Sequence, residues 1–326
     1  MENNNNNNKQ SPVFSIILPT FNRDQLLPRA IKSVLVQTFV NFELIIVDDA
    51  SADNTTGIIK KFADPRIRYC HHANNSGAAA ARNSGIRLAK GKYISFLDDD
   101  DEYLPDFLTE TFKRMNGAPE SVGFTWTGQS FVEDTVNGEK RVSDKHWKPG
   151  PHRPQDRYKI FLRSMNIGTG WGLTLRRQCF DHVGFFDESF RVGEDTEFIL
   201  RLCETFDGMP IPENLVKVHS HSGSHLFNSI IQQAEIYDKI LQKHYIKLQH
   251  DSKLLSYFHY KIGWWYYYAN NRQKGRKYLI KALQADPFKM KKWLIFSYLE
   301  LFGSGGILLQ RRLSKRILDI YTNAAP

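Results

Sequence analysis

Four consecutive carboxylates, Asp98 to Asp101, follow directly on the apolar run Tyr93-Ile94-Ser95-Phe96-Leu97. A buried strand that ends this way gathers like charges at one edge of a sheet, and their repulsion is costly unless a cation is held there. Oxygen-only ligands of this kind suit Mg²⁺ or Mn²⁺, usually bridged to the phosphates of a nucleotide. A solvated acidic turn is the plain alternative. Two more strand-like runs end in polar residues. Phe14 to Leu18 leads into Pro19-Thr20-Phe21-Asn22-Arg23, and Phe42 to Val47 leads into Asp48-Asp49-Ala50-Ser51. In open α/β sheets ligands bind beyond the carboxyl ends of the strands, so polar groups at successive strand ends are what a nucleotide site needs. Asp48, Asp49 and Asp53 are equally good helix caps.

The elements that must position these groups alternate along the chain. Leu26, Leu27, Ala30, Ile31, Val34 and Leu35 fall at helical spacing, and Pro28 is tolerable in the first turn, where backbone N–H groups lack partners. A helix is expected from about Asn54 to Phe62, a strand at Ile67 to His71, and an alanine-rich helix from Asn74-Asn75-Ser76-Gly77 to near Gly91. Apolar strands alternating with helices predict an α/β fold, with a mostly parallel sheet covered by helices on both faces. Further strands are expected at Gly123–Thr127 and Trp171–Arg176. Between them, roughly Val132 to Arg157, the chain is polar and rich in Lys, Asp and Pro, which predicts a long mobile loop able to act as a lid.

At 326 residues, one large domain with a smaller appendage is expected. Met1 to Gln10 is an asparagine run without an apolar segment, so residues 1–11 are expected to be a disordered tail rather than a secretory signal. The odd cysteine count (Cys70, Cys179, Cys203), without C-x-x-C spacing, suits reduced packing residues of a cytoplasmic protein. No run reaches the ~18 apolar residues of a membrane span. The best candidate, Trp293 to Phe302, is short and contains Glu300. Charge is uneven: from Leu226 onward there are 17 Lys and Arg against 6 Asp and Glu, whereas the remainder carries 27 against 29. The basic surplus therefore belongs to a C-terminal region, residues 226–326, whose helical, aromatic pattern includes a hairpin of tetratricopeptide type over Tyr260 to Tyr298. No nucleic-acid reader motif accompanies the charge, so nucleic acid is not an expected partner.

Taken together, Pro19-Thr20-Phe21-Asn22-Arg23, Val47-Asp48-Asp49-Ala50-Ser51, Gly77-x-x-x-Ala81-Arg82-Asn83 and Phe96-Leu97-Asp98-Asp99-Asp100-Asp101 resemble the family 2 glycosyltransferases over about residues 12–225. These are inverting enzymes with the GT-A fold, a Rossmann-like, mostly parallel sheet. The resemblance implies that Pro19, Thr20, Asn22, Arg23, Asp48, Asp49, Arg82, Asp98 and Asp99 hold the nucleotide of a sugar-nucleotide donor, with uridine favoured. It implies a D-x-D element in which Asp98 faces the ribose and Asp100 the Mg²⁺ or Mn²⁺, with Asp101 as the alternative ligand. Displacing a nucleoside diphosphate with an alcohol requires a base. The family places a carboxylate for this at Glu194-Asp195, Asp195 first and Glu194 next; ordinary capping of a helix N-terminus is the other reading. Gly170 and Trp171 resemble the acceptor-side loop. His221, in the histidine-rich turn Val218–His225, fits a metal or diphosphate contact.

The implied reaction moves one sugar to a hydroxyl of a glycan or lipid-linked acceptor. A nucleotidyltransferase shares such a sheet but usually opens with a glycine-rich loop, and a catalytically inactive binding module would lack Asp100 or Asp195. The alternating apolar and cationic residues of Leu308 to Leu318 suit either a membrane-surface helix at the inner face of the cell membrane or the charged face of a packed cap.

Overall fold

The computed structural model describes residues 11–135, 138–146, 169–220, 230–288, 293–294 and 296–301. Two compact units divide the chain, Met1–Ser222 and Gly223–Pro326. The asparagine-rich start and Leu308–Leu318 lie outside the described residues.

In the first unit, β1 (Phe14–Thr20), β2 (Phe42–Asp48), β3 (Ile67–His71) and β4 (Tyr93–Phe96) pair in parallel, in the order β3-β2-β1-β4. Every residue of β2 and β4 is buried, as central strands covered on both faces require. The crossovers carry α1 (Leu27–Leu35), α2 (Thr55–Lys60) and α3 (Ala78–Leu88). Helix α1 buries Leu27, Ala30, Ile31 and Val34, one stripe at helical spacing, and Pro28 sits in its first turn. Phe14 packs against Phe39 and Tyr93 with ring centroids 5.3 Å away in each case. Full burial of such side chains contributes about 1.5–3 kcal/mol each.

The sheet continues with β5 (Glu102–Tyr103), β6 (Val122–Thr135), β7 (Gly138–Lys145), β8 (Thr174–Arg176) and β9 (Asp207–Ser220). The order runs on from β4 as β8-β6-β9-β5, with β7 beside β6. Strand β8 is antiparallel to both β4 and β6, and β9 is parallel to β6. Helices α4 (Phe107–Asn116), α5 (Cys179–Val183) and α6 (Glu194–Thr205) complete the unit. Two expectations need correction. The segment from Val132 to Lys145 is not a loop: β6 and β7 form a hairpin, registered from Gln129↔Lys145 to Thr135↔Gly138. Gly138 takes φ 106°, a backbone conformation that glycine adopts without strain. The remainder of the expected lid, residues 147–157, lies outside the described residues. Likewise Val218 to Ser220 belong to β9, not to a turn; His221 is outside the described residues.

The edge of the sheet remote from the strand ends is held by a buried carboxylate. Glu43 accepts hydrogen bonds from Ser15 Oγ (2.6 Å), the Lys90 N–H (2.7 Å) and Arg68 (2.8 Å). Burial alone would raise its pKa, but these donors hold it below the ordinary carboxylate range. Gly91 completes the knot by donating to Ser15 Oγ at 2.8 Å, so close to β1 that an added Cβ would stand 2.5 Å from the Ser15 nitrogen.

In the second unit α7 (Ile230–Leu248), α8 (Ser252–Tyr268) and α9 (Arg272–Ala285) follow one another. Asp251 caps α8 and Asn271 caps α9 with side-chain oxygens. The glycines in the aromatic run let α8 and α9 meet closely: a Cβ on Gly263 would stand 2.8 Å from Leu279 and 3.0 Å from the Gly275 carbonyl. None of the described helices is long and apolar enough to cross a membrane.

Gly91→Ala should therefore destabilise the chain by at least about 1–3 kcal/mol, the usual penalty of overpacking, since the obstruction is backbone and cannot swing aside. Urea unfolding monitored by circular dichroism measures it; an unchanged midpoint would refute this account of the edge.

Candidate active site

The parallel register brings the ends of β1, β2 and β4 together. Thr20 is level with Asp48, and the Asp49 N–H donates to the Thr20 carbonyl at 2.9 Å. Beyond β4 the chain turns tightly, the Asp101 N–H donating to the Asp98 carbonyl at 3.2 Å. The turn fans the acidic side chains onto separate partners. Thr20 Oγ1 donates to Asp99 at 2.7 Å, Arg23 approaches Asp100 at 3.8 Å, and the His219 N–H donates to Asp101 Oδ1 at 3.0 Å. Next along, Glu102 lies 2.7 Å from His219 Nε2. Arg29, from α1, holds the turn by donating to the Asp100 carbonyl at 2.8 Å. Burial, with Asp100 and Asp98 close by, still leaves the cluster overcharged: Asp99 is pushed up to about 7 and Asp101 well above the ordinary range.

Arg82 on α3 joins this turn to α6. One terminal nitrogen donates to Asp98 Oδ1 at 2.9 Å and the other to Glu194 Oε1 at 2.6 Å. Burial works against the charge of Arg82, but Asp98, Glu194 and Asp195 more than restore it, so its pKa is raised. Glu194 is buried and pushed up to about 7 by desolvation, despite Arg82. Asp195 is partly open to solvent and accepts from the Thr196 N–H at 2.6 Å. Its pKa is also raised, by desolvation and by Asp98, with Arg82 opposing.

The segment leading to α6 is fixed by Asn83, next to Arg82. Its amide donates to the Phe186 carbonyl (2.9 Å) and Glu188 (2.8 Å), and accepts from the Phe186 N–H (2.9 Å). Asp48 and Asp49 are already engaged. Asp48 accepts from the Ser51 N–H and the Tyr69 hydroxyl, both at 2.9 Å. Asp49 receives the Gly77 N–H at 2.7 Å and the Ser76 N–H at 3.0 Å, bracing the start of α3, and lies 2.7 Å from His72 Nδ1. Asn22, at φ 52°, ties the loops after β1 and β2 together: its N–H donates to Ser51 Oγ at 2.9 Å and its Oδ1 accepts from the Ala52 N–H at 2.7 Å. Pro19 lies in β1, opposite Val47.

Gly170, in a helical turn over Thr169–Trp171, faces the acidic loop. A Cβ there would stand 3.1 Å from Asp98 Oδ2 and 3.5 Å from Asp101 Oδ2, so two hard oxygens converge on a bare spot. Among the described residues no three His, Cys, Asp or Glu groups form a ready metal cluster. The donor chemistry nevertheless fits a divalent cation: oxygens only, an excess of buried negative charge, and space kept by a glycine.

Asn83, Arg29, Gln129, His219 and Glu102 were not singled out from sequence as site residues. Asn83 stood inside a recognised motif, adjacent to Arg82, and that adjacency was the available signal. His219 stood in the histidine-rich stretch and Glu102 directly after the four aspartates, whereas Arg29 and Gln129 are brought in by tertiary pairing with nothing local to mark them.

Residues 15–183 match the family model "Glycosyl transferase family 2". The putative colanic acid biosynthesis glycosyl transferase WcaA of Escherichia coli K12 is 32% identical over 257 residues, 77% of this chain and 88% of that protein. TarS of S. aureus, solved as residues 1–349 in complex with UDP-GlcNAc, superposes with a TM-score of 0.65 at 18% identity, over 83% of this chain and 81% of that one. The mannosyltransferase PcManGT from Pyrobaculum calidifontis, solved with GDP-Man and Mn²⁺, gives 0.57 at 18% identity, over 89% and 79%. These likenesses show a GT-A fold. The chain belongs to glycosyl transferase family 2 and is a glycosyltransferase.

Arg82→Met should cost about 3–5 kcal/mol at pH 8, because it leaves the buried Glu194 carboxylate without its cation. The loss should shrink at pH 5.5. Glu194 already has a pKa raised to about 7, and its protonated form, favoured below that value, needs no partner. Urea titrations at both pH values test the sign; a larger loss at pH 5.5 would contradict it.

Proposed function

We propose that this glycosyltransferase moves one sugar from a UDP-sugar to a hydroxyl of a glycan or lipid-linked acceptor in the making of a cell-surface polysaccharide. The transfer is a single inverting displacement that requires Mg²⁺ or Mn²⁺. The observation that carries the reading is the Arg82 bridge, which sets the acidic turn and the Glu194-Asp195 pair on opposite sides of one guanidinium. Support for the donor comes from UDP-GlcNAc bound to the structural neighbour TarS, and for the metal from Mn²⁺ in PcManGT. The colanic acid enzyme WcaA supports a polysaccharide product.

In this reading Pro19, Thr20, Asn22, Arg23, Asp48 and Asp49 surround the nucleoside, Asp98 and Asp99 the ribose and phosphates. Asp100 and Asp101 hold the cation, and His221 adds a ligand from beyond β9. The chemistry such an ion supplies is neutralisation of charge on the departing diphosphate. Arg82 adds fixed positive charge beside it. Asp195 takes the proton of the acceptor hydroxyl, which attacks the anomeric carbon from the face opposite the diphosphate. A raised pKa suits this task, because a carboxylate made more basic by desolvation accepts the proton more readily. Glu194, tied to Arg82, orients the pair. Gly170 and Trp171 flank the acceptor. The basic C-terminal region, 17 cations against 6 anions, holds the enzyme to an anionic membrane surface where a lipid-linked acceptor resides.

Asp195→Asn should retain donor binding by calorimetry and lose transfer, by about a hundredfold or more for a general base. Asp100→Ala should weaken Mn²⁺-dependent UDP binding as well. Normal turnover in Asp195→Asn would end the base assignment. For the membrane contact, the full chain should sediment with anionic vesicles at low salt and be released at high salt; failure to sediment at low salt rules that contact out.

A further inference from the structure

One buried acceptor beside the acidic turn has no use in the reaction as derived so far. Gln129, on β6, is 1% exposed. Its Nε2 donates to the Gly170 carbonyl at 2.6 Å, and its Oε1 accepts no hydrogen bond among the described residues. The orientation of the amide is dictated by that carbonyl: reversed, it would set oxygen against oxygen. The group left over is therefore an acceptor, and leaving an acceptor buried and unpaired costs about 1–3 kcal/mol. What satisfies it must bring an O–H or N–H. Its neighbour Gly170 is the residue whose missing Cβ opens the spot faced by Asp98 Oδ2 and Asp101 Oδ2. Through Gly170 the Gln129 amide thus borders the spot that the strand-end carboxylates face, and its burial keeps it from the solvent edge.

We propose that Gln129 Oε1 accepts a hydrogen bond from a ring hydroxyl of the donated sugar, making Gln129 a residue that selects the donor by its sugar rather than by its nucleotide. A hydroxyl is the group every hexose offers at several positions, and a buried acceptor of fixed direction discriminates against a sugar lacking the matching hydroxyl, or holding it on the other face. The depth of the oxygen favours the donor sugar over the acceptor, which has to enter after it. The assignment rests on the glycosyltransferase reading of this site.

Two variants separate this role from a purely structural one. Gln129→Met removes both the acceptor and the bond to Gly170. Gln129→Lys keeps a donor for the Gly170 carbonyl and loses only the acceptor. UDP, UDP-GlcNAc, UDP-glucose and UDP-galactose are titrated with Mn²⁺ into each, and the affinity for the UDP-sugar the wild type prefers is divided by that for UDP. The ratio cancels effects on the diphosphate, including the added charge of lysine. The expected result is a fall of about three- to tenfold in both variants, the worth of one uncharged hydrogen bond, with thermal unfolding temperatures showing that both fold. A ratio that falls in Gln129→Met and recovers in Gln129→Lys assigns Gln129 to Gly170 alone and overturns the proposal, as does an unchanged ratio in both. If the wild type binds UDP but gains nothing from any sugar, the donor reading itself fails and takes this one with it.

Discussion

A single guanidinium, buried between Asp98 and Glu194, is the contact on which the arrangement of the site depends. Charges taken out of water are tolerated only where each finds a partner of good geometry. Arg82 meets that condition with two terminal nitrogens aimed at two elements far apart in sequence. Asp98 belongs to the turn after β4 and Glu194 to the start of α6. Neither the turn nor the helix end can shift without leaving a buried charge behind. Asp195 is thereby held at a fixed remove from the acidic turn, although it touches Arg82 only through the field. The neighbouring Asn83 does the same by neutral means, locking Phe186 and Glu188. Two adjacent residues of α3 thus hold α6 and the chain leading into it.

The acidic turn solves a different problem. Four successive carboxylates cannot all ionise in one small volume without compensation. Each is turned to a separate neighbour: Arg82, Thr20, Arg23 and the backbone of His219. These contacts do not balance the charge, as the raised pKa values of Asp99 and Asp101 record. The residual excess is the charge that the proposed cation would offset. Asp98 divides the two tasks between its oxygens, Oδ1 on Arg82 and Oδ2 toward Gly170. Asp101 shares that second direction, whereas Asp100 lies toward Arg23. The family resemblance ranks Asp100 first as ligand; the side-chain directions give Asp101 an equal claim.

The parallel half of the fold was legible because its central strands β1, β2 and β4 are largely apolar and lead into polar residues, a pattern that survives without tertiary context. β1 to β4, the crossover helices and the carboxylates at their ends were all anticipated from those runs. The second half was legible only in part: the strands expected at Gly123–Thr127 and Trp171–Arg176 correspond to β6 and to β8, which is shorter than expected, but β7 and β9 were not anticipated. β9 contains Pro210 and Pro212, which read as strand breakers, yet Trp126 is level with Pro210 in a parallel pair that tolerates the irregularity through register shifts nearby. The β6–β7 hairpin was hidden by its charge: a strand pair with polar side chains looks like a loop when only hydrophobic period is counted. The glycine at 138, following an asparagine, was the overlooked clue.

That blind spot has a consequence for the site, because β9 and the continuation of β6 beyond Thr127 deliver parts that sequence reasoning missed. β9 places the His219 N–H on Asp101 and its ring beside Glu102. β6 places Gln129 under Gly170. Motifs mark residues whose chemistry is fixed by short spacing along the chain, as in the strand-end turns. Residues that tune such a site come from strands paired across a long separation, Gln129 level with Val216 for example, and nothing in their local sequence records the pairing. Differences in sugar preference among chains sharing the strand-end motifs should accordingly reside in this mixed half of the sheet, where a substitution alters the site without disturbing the parallel core.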